Sequence, residues 1–508
     1  MKLTYRFLLL FLVIGRLTAE AQTPLANYHE AYRPQIHFSP LGHWMNDPNG
    51  MVYHKGIYHL FFQYYPDNSV WGPMHWGHAT STDLVHWQQQ PIALYPDSLG
   101  YIFSGSAVVD KLNTSGFGKN GKAPLVAIFT HHDPKGEKVG TNTFQNQSIA
   151  YSLDDGKTWT KYSGNPVVKN PGARDFRDPK VMWFEARKRW IMTLATGDHV
   201  TFFSSPDLKN WNKESEFGAT LGAHGGVWEC PDLFKLICNG KAYWILLTNI
   251  NPGGPNGGSA TQYFIGRFDG KIFKPITKTT HWLDYGPDEY AGVTWCNTGN
   301  RKIFLGWMSN WLYADKVPTE QWRSAMTVPR NLLLKQVNGK LLLASTPVEE
   351  LSTLNNGVKT FARIPVMGSE NNPQKVGKLP AQYMLKFNAA QIKTYRISLS
   401  NNDGDVLHVG YDQQNNQYYI DRTAAGDTSF YKGFAGVFKA PRLSSSPATD
   451  LTIVADATSV EVFADGGLTT MTCIFFPRSK APLNNLELQS RGRFTVQKFS
   501  VTALKSIW

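Results

Sequence analysis

The chain is poor in cysteine, in clustered charge and in long apolar runs, and each shortage closes off a class of protein. Four cysteines in 508 residues, Cys230, Cys238, Cys296 and Cys473, cannot staple a small disulfide scaffold. No Cys–His spacing matches a zinc site, so buried free thiols are expected, with no metal and no organic cofactor. Charged residues make up 18% of the chain, and 51 Lys+Arg against 39 Asp+Glu leave a formal charge of +12. The basic residues are scattered, however, and the densest group, Arg187-Lys188-Arg189, reads as a turn between strands. A nucleic-acid partner needs clustered positive charge and is not expected. The apolar run from Phe7 to Ile14 is far short of the roughly 20 residues that cross a bilayer. Lys2 and Arg6 precede it and Ala19-Glu20-Ala21 follows, the layout of a secretory signal peptide. Residues 1–21 are therefore read as a signal, cleaved near Ala21, and the mature protein as secreted or periplasmic, with no membrane span. Nothing in the sequence sets an oligomeric state.

What the chain does have is 44 Gly, 29 Pro and 13% aromatics, which favours short strands and tight turns over helices. Three segments share one layout: acidic residue, nearby proline, apolar strand, polar turn, aromatic strand. They begin at Asn46-Asp47-Pro48, Arg177-Asp178-Pro179 and Glu229-Cys230-Pro231. A second phrase follows each hairpin region, Ser81-Thr82-Asp83-Leu84 to Trp87, Ser152 to Trp159, and Ser205-Pro206-Asp207-Leu208 to Trp211. Recurrence every 50–70 residues or so is the period of four-stranded propeller blades. The last third instead alternates apolar and polar residues, as in Arg396 to Ser400 and Val460 to Phe463, the pattern of an antiparallel sandwich with half-buried sheets. The expected architecture is all-β: a propeller over residues 22–350 and a β-sandwich over 351–508.

If each acid starts the innermost strand of its blade, Asp47, Asp178 and Glu229 face one central funnel from blades one, three and four. A glycosidase needs two carboxyl groups flanking one bond, and crowded carboxylates raise the pKa of at least one of them. Tryptophans are dense nearby (Trp44, Trp71, Trp76, Trp307, Trp311), and Asn46, Gln63, Ser104 and Arg177 are hydrogen-bonding groups suited to sugar hydroxyls. Trp87, Trp159 and Trp211 read as core residues.

The segment His43-Trp44-Met45-Asn46-Asp47-Pro48-Asn49-Gly50, with Phe176-Arg177-Asp178-Pro179 and Trp228-Glu229-Cys230-Pro231-Asp232, resembles glycoside hydrolase family 32, the invertases, inulinases, levanases and fructan exohydrolases. Phe103-Ser104-Gly105-Ser106, Gly306 to Trp311, Trp322 to Met326 and Val460-Glu461-Val462-Phe463 extend the resemblance over nearly the whole mature chain. It implies five blades followed by a β-sandwich, and cleavage of β-fructofuranosyl bonds with retention. It also implies Asp47 as nucleophile, Glu229 as acid/base and Asp178 as transition-state stabiliser. Asn46, Gln63, Trp71, Ser104, Arg177 and Trp311 would line the terminal fructose pocket. Tyr65 departs from the family, which often carries Asn there. Closest in pattern are microbial exo-acting fructanases, so levan, inulin and sucrose are the implied substrates and fructose the product. Endo action, an inverting furanosidase, a fructosyltransferase and a non-catalytic carbohydrate-binding propeller are the competing readings.

Overall fold

The computed structural model describes residues 27–508 apart from 368, 370 and 371; the signal segment 1–21 lies outside the described residues. Five antiparallel sheets come first, then two larger ones. The innermost strands of the five are His43–His54, Tyr101–Val109, Phe176–Phe184, Val227–Cys238 and Tyr290–Thr294. Each contacts the next, and the fifth returns to the first, which makes a closed five-bladed propeller. The ring is latched where Trp322–Arg323, from an excursion of blade 5, pairs in parallel with His43 and Trp44 of blade 1.

The repeated Ser-to-Trp phrase builds one turn three times. Ser81, Ser152 and Ser205 donate through Oγ to Asp83, Asp154 and Asp207 at 3.0, 2.8 and 3.1 Å. The aspartates in turn accept backbone amides of the turn, a local bond that favours this conformation over helix or strand. The indoles of Trp87, Trp159 and Trp211 each donate to the carbonyl three residues back, Leu84, Gly156 and Leu208. Each tryptophan thus fills apolar space between blades while its polar atom stays bonded.

After Pro347 a short 3-10 helix, Glu349–Leu354, leads into two six-stranded sheets packed face to face around a shared apolar core. The strand Ser459–Ala464 was expected to bury one face only, yet all of it is buried. The reason is the propeller, which covers its outer face. Arg330 of blade 5 donates from Nε to Glu461 Oε2 at 3.0 Å and from Nη1 to Asp284 Oδ2 at 2.9 Å. His37 bridges Asp456 (2.8 Å) and Glu461 (2.9 Å). The neighbouring edge strand, Thr469–Ile474, would expose unpaired amides. Propeller carboxylates accept them instead: Thr472 N donates to Asp284 Oδ1 and Ile474 N to Asp288 Oδ2, both at 2.9 Å. The chain that makes these contacts, 284–288, continues directly into the inner strand of blade 5, so the sandwich braces one wall of the funnel. No helix among the described residues is long and apolar enough to cross a membrane.

Candidate active site

All five inner strands lose register with their neighbours near the same end, at Met45/Pro48, Ile102/Gly105, Arg177/Lys180, Glu229/Asp232 and Tyr290/Val293. Such bulges re-aim side chains, here toward the funnel axis. Pro48, Pro179 and Pro231 stand at three of the breaks, where a missing N–H removes no ladder bond. Blades 2 and 5 use Gly105 and Gly292 instead, because backbone or ring atoms approach too closely; a Cβ at Gly105 would lie 2.0 Å from Ile128 O. Asp178, Cys230 and Ala291 take up left-handed backbone at these breaks (φ 64, 41 and 54°). The acids are therefore not all at matched positions, as the repeat suggested. In blade 4 it is Cys230 that shares the conformation of Asp178, and Glu229 stands one residue earlier.

The bulges bring the three carboxylates to one cavity of about 230 Å³. It lies below the roughly 300–1,000 Å³ of pockets for drug-sized ligands and suits a single sugar ring. Every residue expected at the site lines it: Asp47, Asp178 and Glu229 with Asn46, Gln63, Trp71, Ser104, Arg177 and Trp311. Asp47 is held from three sides. Oδ2 accepts from Ser104 Oγ at 2.7 Å and from the Cys230 thiol at 3.4 Å, and Oδ1 from Asn46 Nδ2 at 2.9 Å. Burial and the Glu229 charge nevertheless hold its carboxyl above the usual range.

Asp178 is buried and accepts from the Cys230 amide at 3.0 Å. Burial pushes it up to about 7, against the pull of Arg177. Arg177 donates to Glu229 Oε1 from Nε (3.2 Å) and Nη2 (2.9 Å), and from Nη1 to Asp175 at 2.6 Å. The Tyr290 hydroxyl donates to the other oxygen of Glu229. Gln63 is fixed by its bond to Ile102 O at 3.0 Å. Trp71 is 40% exposed at the rim, and Trp311 stacks on Trp44 at 5.8 Å between centroids.

Residues 37–345 match the model of the glycosyl hydrolases family 32 N-terminal domain, and 350–503 match that of the family's C-terminal domain. The chain belongs to family 32. A levanase of Bacillus subtilis (strain 168) is 45% identical over 495 residues, 95% of this chain and 72% of the relative. An extracellular exo-inulinase of Aspergillus niger is 42% identical over 492 residues, 90% of this chain and 91% of the relative. Among solved structures, the exo-inulinase of Aspergillus awamori superposes with a TM-score of 0.86 at 40% identity, over 95% of this chain and 100% of that one. A β-fructofuranosidase of Schwanniomyces occidentalis complexed with fructosyl-erythritol gives 0.85 at 33%, over 94% and 99%.

Three tryptophans grouped with the site by sequence, Trp44, Trp76 and Trp307, are completely buried. They are core residues of this family 32 propeller, and only Trp71 and Trp311 reach the cavity. Sequence reasoning missed Tyr290, Asp175, His132, Glu137 and Gln145. Cys230 stood in plain view between Glu229 and Pro231 but was read only as a thiol. The others carry no acid-and-proline signal.

Proposed function

We propose that this family 32 enzyme hydrolyses β-fructofuranosyl linkages with retention, removing terminal fructose from levan, inulin and sucrose. The observation that carries the reading is three carboxylates at one cavity sized for one ring. Asp47 attacks the anomeric carbon of the bound fructosyl unit as Glu229 protonates the departing oxygen. The oxocarbenium-like transition state collapses to a fructosyl ester on Asp47. Glu229, now ionised, takes a proton from the water that releases fructose and restores both groups. Ser104, Asn46 and Cys230 orient the Asp47 carboxylate for attack. Asp178 holds sugar hydroxyls through the transition state and makes no bond to carbon. Asn46, Gln63, Trp71, Arg177 and Trp311 bind the same ring.

The small size of the pocket supports exo over endo action, as does the exo-inulinase relative. We take residues 22–350 as the catalytic unit, 351–508 as its brace, and the protein as exported, in line with the extracellular relative. Chromatography of products from inulin and levan tests the reading. Fructose alone is expected. A ladder of oligomers would replace exo with endo action, and no release from inulin, levan or sucrose would leave a binding module.

A further inference from the structure

The second sandwich sheet runs in the order Gln374–Lys378, Asn485–Ser490, Tyr395–Ser400, Val406–Asp412, Gln417–Ala424, Val437–Pro441. Alternate residues, among them Ile397, Val409, Ile420 and Leu488, enter the shared core, so those between them form the outer face. Cross-strand pairing sets two rows on that face. One is Gln489, Arg396, Gly410, Tyr419 and Lys439; the other is Glu487, Ser398, His408 and Asp421.

An outer sheet face in water needs only polar side chains, and a glycine in mid-strand weakens the sheet. Gly410 nevertheless has a specific neighbour. A Cβ there would lie 2.4 Å from both Cζ and Oη of Tyr419, so the Tyr419 ring lies down across the adjacent strand, in the space the glycine leaves. The Arg396 guanidinium stands beside its hydroxyl. In the second row Ser398 Oγ and His408 Nδ1 are hydrogen-bonded at 3.0 Å, and burial with the Arg396 charge holds the imidazole below the ordinary histidine range.

The first row borders a cavity of about 530 Å³ lined by Arg396, Asp412, Gln414, Tyr419, Gln489 and Arg491, more than twice the volume of the catalytic one. Basic groups (Arg396, Lys439, Arg491) alternate with acidic ones (Asp412, Asp421, Glu487), so the face selects neither a polyanion nor a polycation. An aromatic ring laid on the sheet among planar amide, guanidinium and carboxylate groups suits an uncharged polyol. The edge of the sheet is tied to the propeller beside the catalytic mouth. Lys439 N donates to Asn256 Oδ1 at 3.2 Å, and Asn256 Nδ2 donates to Lys439 O at 3.0 Å. Asn256 belongs to the connection 252–259 of blade 4, whose Ser259 accepts from the amide of Trp311, a residue of the catalytic cavity, at 3.3 Å.

We infer that this face is a second, non-catalytic carbohydrate site that holds a fructan chain, with Tyr419 as its platform and Arg396, His408 and Gln489 as hydrogen-bonding partners. The choice of a fructan rests on the proposed function. A polymer held at a second point presents its ends to the catalytic cavity at a raised effective concentration, with no new contact there. Sucrose is too short to bridge the two sites and gains nothing.

The test reads binding and hydrolysis separately, in the full chain. In native gels containing levan, the Asp47→Asn variant is retarded, D47N/Y419A and D47N/Q489A less so, and gels containing dextran retard none of them. In the active enzyme, Tyr419→Ala raises KM for levan by about threefold or more and leaves kcat/KM on sucrose unchanged, which also shows that the variant folds. Gln489→Ala, on the same row, moves KM for levan in the same direction and carries the test should Y419A not fold. Equal retardation of D47N and its double variants, the same retardation in dextran, or a levan KM unmoved in the active variants overturns the site. Failure of the underlying reading is separate: wild type would then release no fructose from sucrose, while the gels would still read the sheet.

Discussion

Ser104 Oγ donates to Asp47 Oδ2 at 2.7 Å, across the boundary between the first two blades. The carboxyl is pushed up by burial and by the Glu229 charge, and this hydroxyl opposes both. A hydrogen bond to a charged group contributes about 1.5–3 kcal/mol, and one pKa unit corresponds to about 1.4 kcal/mol. Ser104→Ala should therefore move the acid limb of the kcat/KM profile upward by about one to two units, since that limb reports the group that must be ionised in free enzyme. An unmoved limb would mean that Asp47 is not the group being read.

The roles of the acids separate by chemical rescue. Glu229→Ala should lose fructose release from sucrose by a factor of about 10²–10⁴. On a fructosyl fluoride, whose leaving group departs without a proton, azide, small enough for the vacated space and needing no base, should restore turnover as a fructosyl azide of retained configuration. Asp47→Asn should show no such rescue, because no ester forms. An azide product of inverted configuration from E229A, seen by NMR, would remove the covalent step.

The parts legible in sequence are those whose geometry is local. The turns at Asp83, Asp154 and Asp207 close through side-chain bonds within a few residues, so their residues recur as a phrase. Asp47 and Asp178 announce themselves by the proline that a bulge tolerates. Tyr290 reaches Glu229 only because the fifth blade closes against the fourth, and Glu137 reaches the cavity from a connection outside any repeated unit. Trp44, Trp76 and Trp307 lie near the funnel in sequence, but all three turn into the core, a direction set by packing between blades that no single strand records. Ser459–Ala464 reads as half-buried because a single strand carries no record of what docks on its outer face.

The contact between propeller and sandwich is predicted to be fragile to single changes. Arg330 is fully buried and holds Glu461 and Asp284. Arg330→Met leaves Asp284 without its cation and Glu461 with only His37, and breaking such a buried pair costs about 3–5 kcal/mol. The double variant R330M/E461M should recover part of the loss in thermal unfolding. If the double variant is less stable than the single one by the full cost of another broken pair, the two residues are not coupled.

The same cluster makes stability depend on pH. Burial disfavours the charged form of His37, but Asp456 and Glu461 overcome it and raise its pKa from 6.5 to about 9. Burial and then the Asp284 charge raise Glu289 from 4.5 to about 8, against Arg330. Both groups keep protons in the folded state that the unfolded chain gives up. Unfolding therefore releases protons between 4.5 and about 8 for Glu289, and between 6.5 and about 9 for His37, and stability falls as pH rises through those windows. Where they overlap, the slope approaches about 2.7 kcal/mol per pH unit if both titrate fully. Scanning calorimetry from pH 6 to 9 should show Tm falling throughout. Glu289→Gln, which keeps the shape without a titrating proton, should flatten the part below pH 8 and leave the fall carried by His37. A Tm that is level across the overlap, or an E289Q variant with the wild-type slope, would count against this account of the interface.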